Sequence, residues 1–135
     1  NLVKTWSKDR STQVSAVIID EESNTPVTFG YNGFPRGCDD SIESRHERPE
    51  KYLWTEHAEK NCIFNAAREG RSLDGKTLYV TMFPCADCAR GIIQSGIKKV
   101  VTPKPNMSLE IWKKSFEVSM VMMKETGVEV VFLKK

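Results

Sequence analysis

Two short segments of the sequence contain residue types that commonly bind metal ions. His57-Ala58-Glu59 lies at the start of a predicted helix, and Pro84-Cys85-Ala86-Asp87-Cys88 joins a predicted strand to the next helix. Cysteines at positions i and i+3 share one helix face, and a helix N-terminus favours their thiolate forms, so both can bind one ion. With His57 as a third ligand, a zinc ion keeps one position open for water, as in catalytic sites. Zinc lowers the pKa of such a water to about 7, and Glu59 is close enough in sequence to His57 to carry its proton.

The remaining cysteines leave two other interpretations open. The chain contains four cysteines and two histidines. Cys85, Cys88 and His57 could instead belong to a closed structural zinc site with another cysteine as fourth ligand. Cys62 is predicted to be a small core residue, which leaves Cys38 as the candidate for that position. A thioredoxin-like redox pair is the other interpretation, but it leaves the His-Ala-Glu triplet unexplained.

Length and composition indicate one globular domain that spans residues 1–135. The net charge is +2, with 39% hydrophobic and 28% charged residues, which are ordinary values for a globular protein. No apolar run reaches the roughly 18 residues of a membrane span, and no secretory leader is recognisable. The nearly balanced charge argues against a nucleic-acid partner. We therefore expect a cytoplasmic protein without disulfides or membrane contacts, whose natural start lies upstream of Asn1.

Strand and helix patterns must position the metal-ligating segments. Strands are predicted at residues 14–20, 27–31, 77–81, 98–102 and 128–132, and helices at residues 55–68, 85–94 and 108–127. The first two strands are expected to form a hairpin, whereas helices between the later strands imply parallel crossovers. Residues 32–54 form a long loop, and such loops in compact domains are usually functional. The order predicts an α/β sheet with helices on both faces and the metal-ligating segments at two neighbouring helix starts.

Five segments carry a resemblance to a known family. They are Ser7-Lys8-Asp9, Gly30-Tyr31-Asn32-Gly33-Phe34-Pro35-Arg36-Gly37-Cys38, His57-Ala58-Glu59-Lys60-Asn61, Phe83-Pro84-Cys85-Ala86-Asp87-Cys88-Ala89 and Ile92-Ile93-Gln94-Ser95-Gly96-Ile97-Lys98. Together they are similar to the signatures of deoxycytidylate (dCMP) deaminases, in the cytidine deaminase-like superfamily. The H-x-E and P-C-x-x-C motifs occur throughout the zinc deaminases, whereas the segment from Gly30 to Cys38 points to the deoxycytidylate branch. The resemblance implies a three-layer α/β/α fold with a five-stranded mixed sheet whose fourth and fifth strands are parallel.

The resemblance also implies an activity, the hydrolysis of dCMP to dUMP and ammonia, which supplies dUMP for thymidylate synthesis. In that mechanism a zinc-bound hydroxide attacks the amine-bearing carbon of cytosine, and Glu59 shuttles the protons. Backbone groups of Ala58 and Cys85 would contact the pyrimidine, and Asn32 would contact the sugar. The alternative for Asn32 is a purely structural turn residue.

The substrate phosphate requires cations or backbone donors. Lys8 and Arg10 precede the first strand and are the candidates, with ordinary solvated surface charge as the alternative. The long loop also contains basic residues, but they alternate with acids and are expected to be solvated or paired: Arg36, Arg45, Arg48 and Lys51.

Many deoxycytidylate deaminases are hexamers that dCTP activates and dTTP inhibits. By resemblance, Gly30, Tyr31, Asn32 and Gly33 would bind such an effector, with magnesium on its triphosphate and with Asn61 at the subunit contact. The alternative is that the two glycines only permit a turn.

The last predicted helix carries an apolar stripe that is expected to pack in the core, with a subunit contact as the alternative: Leu109, Trp112, Phe116, Met120 and Met123. Family members commonly have a tyrosine soon after the fourth strand. This chain has Thr102-Pro103-Lys104-Pro105 there, which puts substrate contacts from that side in doubt.

Two other functions stay open. One is another zinc nucleoside or tRNA deaminase that acts on cytidine or adenosine. From Lys98 onward, eight lysines and four glutamates without an aromatic stacking platform argue against tRNA. The other is a non-catalytic, zinc-stabilised protein, which would have no need of Glu59.

Overall fold

The computed structural model describes residues 2–9 and 11–133. Apart from the short helix α1, its strands and helices follow the predicted order: β1 (Ser15–Asp20), β2 (Thr25–Tyr31), α1 (Lys51–Trp54), α2 (Ala58–Glu69), β3 (Thr77–Val80), α3 (Ala86–Gln94), β4 (Lys99–Thr102), α4 (Glu110–Glu125) and β5 (Glu129–Phe132). Short 3-10 helices occupy Val3–Trp6 and Glu43–His46. Within the described residues, no helix combines the length and the apolar composition needed to cross a bilayer.

The five strands form one mixed sheet in the order β2-β1-β3-β4-β5. β1 pairs antiparallel with β2 and with β3, whereas β3, β4 and β5 are parallel to one another. The hairpin and the parallel fourth and fifth strands are therefore as predicted, and the expected fold class is confirmed. Parallel β3 and β4 direct their carboxyl ends to the same sheet edge, where the chain turns into α3.

The close approach of α2 to β2 fixes where the metal-ligating histidine lies. A Cβ atom on Gly30 would be 2.8 Å from the carbonyl oxygen of Ala58 and 2.8 Å from the amide nitrogen of Cys62. Only glycine allows this backbone contact. The side chain of Cys62 then packs under the sheet, where its Sγ lies 3.1 Å from the Ala16 carbonyl oxygen. The predicted core role of Cys62 agrees with its complete burial.

Two local predictions differ from the structure. The last helix begins at Glu110, with Leu109 at the N-cap, and not at Ser108. The Ser108 hydroxyl donates instead to the side chain of Asn106, because a short polar side chain can satisfy a turn as well as a helix start. The long loop also contains more regular secondary structure than predicted, namely a 3-10 helix and α1.

Aromatic packing gives that loop a small core of its own. The His46 ring stacks on Phe34 with centroids 4.8 Å apart. The Arg45 guanidinium lies 3.9 Å from the centroid of the Trp54 ring, within the range of a cation–π contact. His46 therefore packs within the loop.

Candidate active site and metal centre

Three predicted metal ligands meet at the starts of α2 and α3. His57 is the N-cap residue of α2, Cys85 is the N-cap residue of α3, and Cys88 follows within the first turn of α3. The Nδ1 atom of His57 lies 3.4 Å from the Sγ of Cys85 and 3.3 Å from the Sγ of Cys88. All three potential ligand atoms lie within 4.8 Å of one another.

This donor set fits a zinc ion. Tetrahedral zinc with bonds of about 2.3 Å to sulfur and about 2.05 Å to nitrogen holds these atoms roughly 3.6 Å apart. The two sulfur–nitrogen distances of 3.4 Å and 3.3 Å are close to that value. Among the described residues, the cluster includes neither Cys38 nor Cys62 as a fourth ligand. The protein thus offers three ligands, which is the arrangement of a catalytic and not of a closed structural site.

The three side chains of this cluster shift one another's pKa values. Hydrogen bonds from Cys88 and His57 lower the pKa of Cys85 to about 4, although burial opposes the change. The hydrogen bond to Cys85 raises the pKa of His57 to about 9. The pKa of Cys88 is raised because its thiol donates to Cys85 and is buried. A thiolate is therefore favoured at Cys85, and thiolates are the sulfur ligands that zinc binds.

Glu59 lies in the first turn of α2 and is 4% exposed. Its burial raises the pKa of the carboxyl group to about 7, and the positive charge of His57 opposes this change. A carboxyl group with a pKa near neutrality can both accept and release a proton at physiological pH. Glu59 thus has the properties of a general acid–base residue beside the metal ligands.

A cavity of about 490 Å³, the metal-side cavity, adjoins this cluster and is also lined by residues within segments 9–14 and 48–55. His57, Glu59 and Cys85 line it together with Ala58 and Asn32. The predicted pyrimidine- and sugar-contacting residues therefore share one cavity with the metal ligands. Its volume suits a small organic ligand, since such pockets commonly enclose about 300–1,000 Å³.

The side chain of Asn32 forms hydrogen bonds that stabilise the wall of the cavity. Its Oδ1 accepts a hydrogen bond from the amide of Val14 at 2.9 Å, and its Nδ2 donates to the carbonyl of Thr12 at 2.8 Å. These bonds hold the segment before β1 against the end of β2. One amide hydrogen of Asn32 is left for a ligand, since the side chain has two donors.

Helix α4 supplies an aromatic wall that the sequence pattern did not reveal. Leu109, Trp112 and Phe116 line the cavity; Phe116 is also buried in the core as its helical spacing predicted, whereas Leu109 is exposed. The centroid of the Trp112 ring lies 6.1 Å from that of the His57 ring, in an edge-on arrangement. Met123, further along the stripe, is completely buried as predicted. Periodicity identifies the apolar face of a helix but not whether that face meets a core or a ligand pocket.

Of the two predicted phosphate residues, Lys8 is among the described residues. Lys8 lines a smaller neighbouring cavity of about 170 Å³, and its Nζ lies 2.9 Å from the Asp40 carboxylate. Arg10 lies outside the described residues. Lys51 is paired with Asp9, as expected, but it is buried and lines the metal-side cavity. Arg48 lines that cavity too, and it is solvent-exposed, as expected of a solvated charge.

The predicted effector residues line more than one cavity. Gly30, Tyr31, Gly33 and Asn61 line an open depression of about 960 Å³, and Asn32 lines the metal-side cavity. Tyr31, Asn32 and Gly33 also line the smaller cavity beside Lys8. The side-chain nitrogen of Asn61 donates to the carbonyl of Tyr31 at 2.8 Å, so it joins α2 to β2. Gly30 faces α2, where its close packing gives it a structural role.

Comparisons with known proteins agree with this site. The family described as cytidine and deoxycytidylate deaminase zinc-binding region matches residues 1–104. An uncharacterized deaminase in the luxG 3′ region of Aliivibrio fischeri is 47% identical over 133 residues, which span 98% of this chain and 86% of that protein. The human deoxycytidylate deaminase is 41% identical over 100 residues, which span 70% of this chain but only 54% of the human protein.

A crystal structure of the dCMP deaminase from cyanophage S-TIM5 in complex with dCMP and dUMP has the same fold. The TM-score is 0.78 at 26% sequence identity, over 98% of this chain and 89% of that chain. The family match includes both metal-ligating segments, and the solved structure shares the sheet and helices that bring them together. The chain therefore belongs to the zinc-binding cytidine and deoxycytidylate deaminase family, as its motifs predicted.

Proposed function

We propose that this protein is a zinc-dependent deaminase that hydrolyses dCMP to dUMP and ammonia. The observation that carries the proposal is a cluster of three candidate metal ligands, two of which (His57 and Cys85) line the same cavity as the buried carboxyl group of Glu59. A closed structural site would contain a fourth ligand and would have no use for Glu59. The likeness to a deaminase in complex with dCMP and dUMP supports this choice of substrate.

His57, Cys85 and Cys88 would hold the zinc ion. When bound, zinc supplies the Lewis acid that makes water a nucleophile at neutral pH. Glu59 accepts a proton from the attacking water and transfers it to the ring nitrogen of cytosine. It then takes the proton of the hydroxyl group formed on the attacked carbon and delivers it to the amine, which leaves as ammonia while the carbonyl of uracil forms. The aromatic wall around Trp112 covers the base and excludes bulk water from these transfers.

A substrate panel tests the proposal. The zinc-loaded protein is incubated with dCMP, dCTP, deoxycytidine and cytidine, and the loss of cytosine absorbance is recorded. We expect the highest kcat/KM with dCMP. Turnover of cytidine without dCMP would assign the chain to another zinc nucleoside deaminase. No turnover of any compound by protein with one zinc per chain would reject the enzymatic proposal and favour a structural zinc protein.

We further propose that the depression lined by Gly30, Tyr31, Gly33 and Asn61 binds dCTP or dTTP, with magnesium on the triphosphate. The amide of Gly33 donates to the Glu56 carbonyl at 3.1 Å, and the amide of Glu56 donates back at 2.8 Å. A ligand bound at Gly33 would therefore act on the chain immediately before His57.

Initial rates against dCMP concentration, with and without each triphosphate and magnesium, test this regulation. A rate curve that neither triphosphate changes would contradict it.

The proposal includes a homo-oligomer, with a hexamer as the expected state. Trp6, Phe29 and Phe64 expose aromatic rings beside that same depression, and such patches favour association. Sedimentation equilibrium measures the mass, and a monomer at all concentrations would contradict the proposal.

The proposal also includes a cytoplasmic location. The four cysteines are free thiols, which fits the reducing conditions of a cytoplasmic protein.

A further inference from the structure

A buried ion pair closes part of the metal-side cavity. The Nζ of Lys51 lies 3.3 Å and 3.2 Å from the two carboxylate oxygens of Asp9, and 2.8 Å from the Oγ of Ser11. The Asp9 carboxylate also accepts hydrogen bonds from the amides of Ser11 and Thr12, both at 2.9 Å. The two charges neutralise each other, and most of their hydrogen-bonding capacity is used within the protein. Neither is therefore well placed to bind an ionic ligand.

Arg48 differs from this pair in both charge balance and hydrogen bonding. Its Nη2 donates to the Oγ of Ser11 at 3.2 Å, and no carboxylate among the described residues forms an ion pair with it. A guanidinium has five N–H donors, so most of them are free to reach a ligand. With the Lys51–Asp9 pair neutral, Arg48 contributes an uncompensated positive charge among the described residues that line this part of the cavity.

The geometry points to Arg48 as the residue that binds the 5′-phosphate of the nucleotide, which deepens and rests on the proposed function. The planar fork of arginine matches the oxygens of a phosphate and binds them with two hydrogen bonds. The Lys51–Asp9 pair is a positioning device, because it joins the segment of Asp9 and Ser11 to the segment that carries Arg48. A cavity with metal ligands and a free guanidinium selects a nucleotide over a nucleoside.

Binding of the product tests the inference without any need for turnover. Isothermal titration calorimetry of the zinc-loaded chain compares dUMP with deoxyuridine, which lacks the phosphate. We expect the wild type to prefer dUMP. Arg48→Gln should weaken dUMP binding about 10- to 100-fold and leave deoxyuridine binding unchanged. Arg48→Lys keeps the charge without the fork, and its dUMP affinity should fall between the other two.

Arg36→Gln is the matched control, since Arg36 is an exposed arginine of the same loop that does not line this cavity. Its affinities should equal those of the wild type. Equal loss of both ligands in Arg48→Gln, an unchanged dUMP affinity in that variant, or a wild type that does not distinguish the two ligands would each overturn the inference. A wild type that discriminates through Arg48 but deaminates no cytosine compound would reject only the proposed function.

Discussion

Glu59 and the Lys51–Asp9 pair illustrate how burial changes what a charged side chain can do. Burial raises the pKa of Glu59 to about 7 because water no longer stabilises the carboxylate. At Asp9, burial also pushes the pKa upward, but hydrogen bonds from Thr12, Ser11 and Lys51 outweigh it and hold the pKa below its ordinary value. The same residue class is thus suited to proton transfer in one place and to a fixed charge in the other.

Replacement of the Glu59 carboxyl group by an amide removes a proton acceptor with little change of shape. We expect Glu59→Gln to lower kcat for dCMP by about 10²- to 10⁴-fold, the usual contribution of a general acid–base group. Zinc content should stay the same, because His57, Cys85 and Cys88 are the proposed ligands. Glu69→Gln, at the exposed end of the same helix, is the control and should keep wild-type rates. A Glu59→Gln enzyme with wild-type kcat would disprove the shuttle role.

The lowered pKa of Asp9 predicts a pH-dependent contribution to stability. Since the folded pKa lies below the unfolded value of about 3.9, the contribution is complete above that value and disappears as the pH falls through the folded pKa. Asp9→Asn leaves the charge of buried Lys51 unpaired and should cost on the order of 3 kcal/mol at pH 7.

Urea unfolding of wild type and Asp9→Asn between pH 3 and pH 7 measures this difference. The gap between the two free energies of unfolding should be constant above about pH 5 and should narrow below about pH 4. A gap that widens toward acid pH would contradict the proposed charge state of Asp9.

At the scale of elements, the contact between β2 and α2 positions His57. The packing of these two elements depends on Gly30, whose absent side chain lets the backbones touch. Gly33, three residues later in the same motif, has nothing within 4 Å of the position of an added Cβ. The two glycines of one motif therefore have different structural roles.

Gly30→Ala should push α2 away from β2, because the added carbon would lie 2.8 Å from backbone atoms that cannot rotate away. We expect a loss of about 1–3 kcal/mol in the free energy of unfolding, as for other overpacked sites. Thermal unfolding with urea titration measures it. Gly33→Ala should change stability by much less, and equal effects of the two substitutions would refute the packing role.

For the whole molecule, a metal ion at the His57–Cys85–Cys88 cluster would join two helices that are far apart in sequence. A ligand that binds only the folded state stabilises it by mass action, by about 2.7 kcal/mol at a concentration 100 times its Kd. For a chain of 135 residues, this corresponds to a rise of roughly 10 °C in Tm.

Thermal unfolding of the metal-stripped protein with added zinc tests this link. Zinc should raise the Tm of wild type and of Cys38→Ser, but not of Cys88→Ser. Since Cys38 remains outside the described cluster, its substitution should also leave one zinc per chain. Loss of zinc binding in Cys38→Ser would instead indicate a closed site with four ligands.

Sequence patterns alone were enough to predict the order of strands and helices, the candidate metal-ligating triad and the family. These features depend on short-range patterns: the i and i+3 spacing of Cys85 and Cys88, the proximity of Glu59 to His57, and the period of apolar residues in each element. Parallel pairing of the later strands followed from the helices between them.

The tertiary structure decided which distant residues share the cavity. The Lys51–Asp9 pair joins residues 42 positions apart, and nothing in the local sequence distinguishes Lys51 from the other charges of its loop. In the same way, only folding brings Trp112 to His57, places Arg48 in the cavity, and gives Lys8 a partner outside it. Such contacts form because separate elements must pack their apolar faces together, and local patterns record the faces but not the partners they meet.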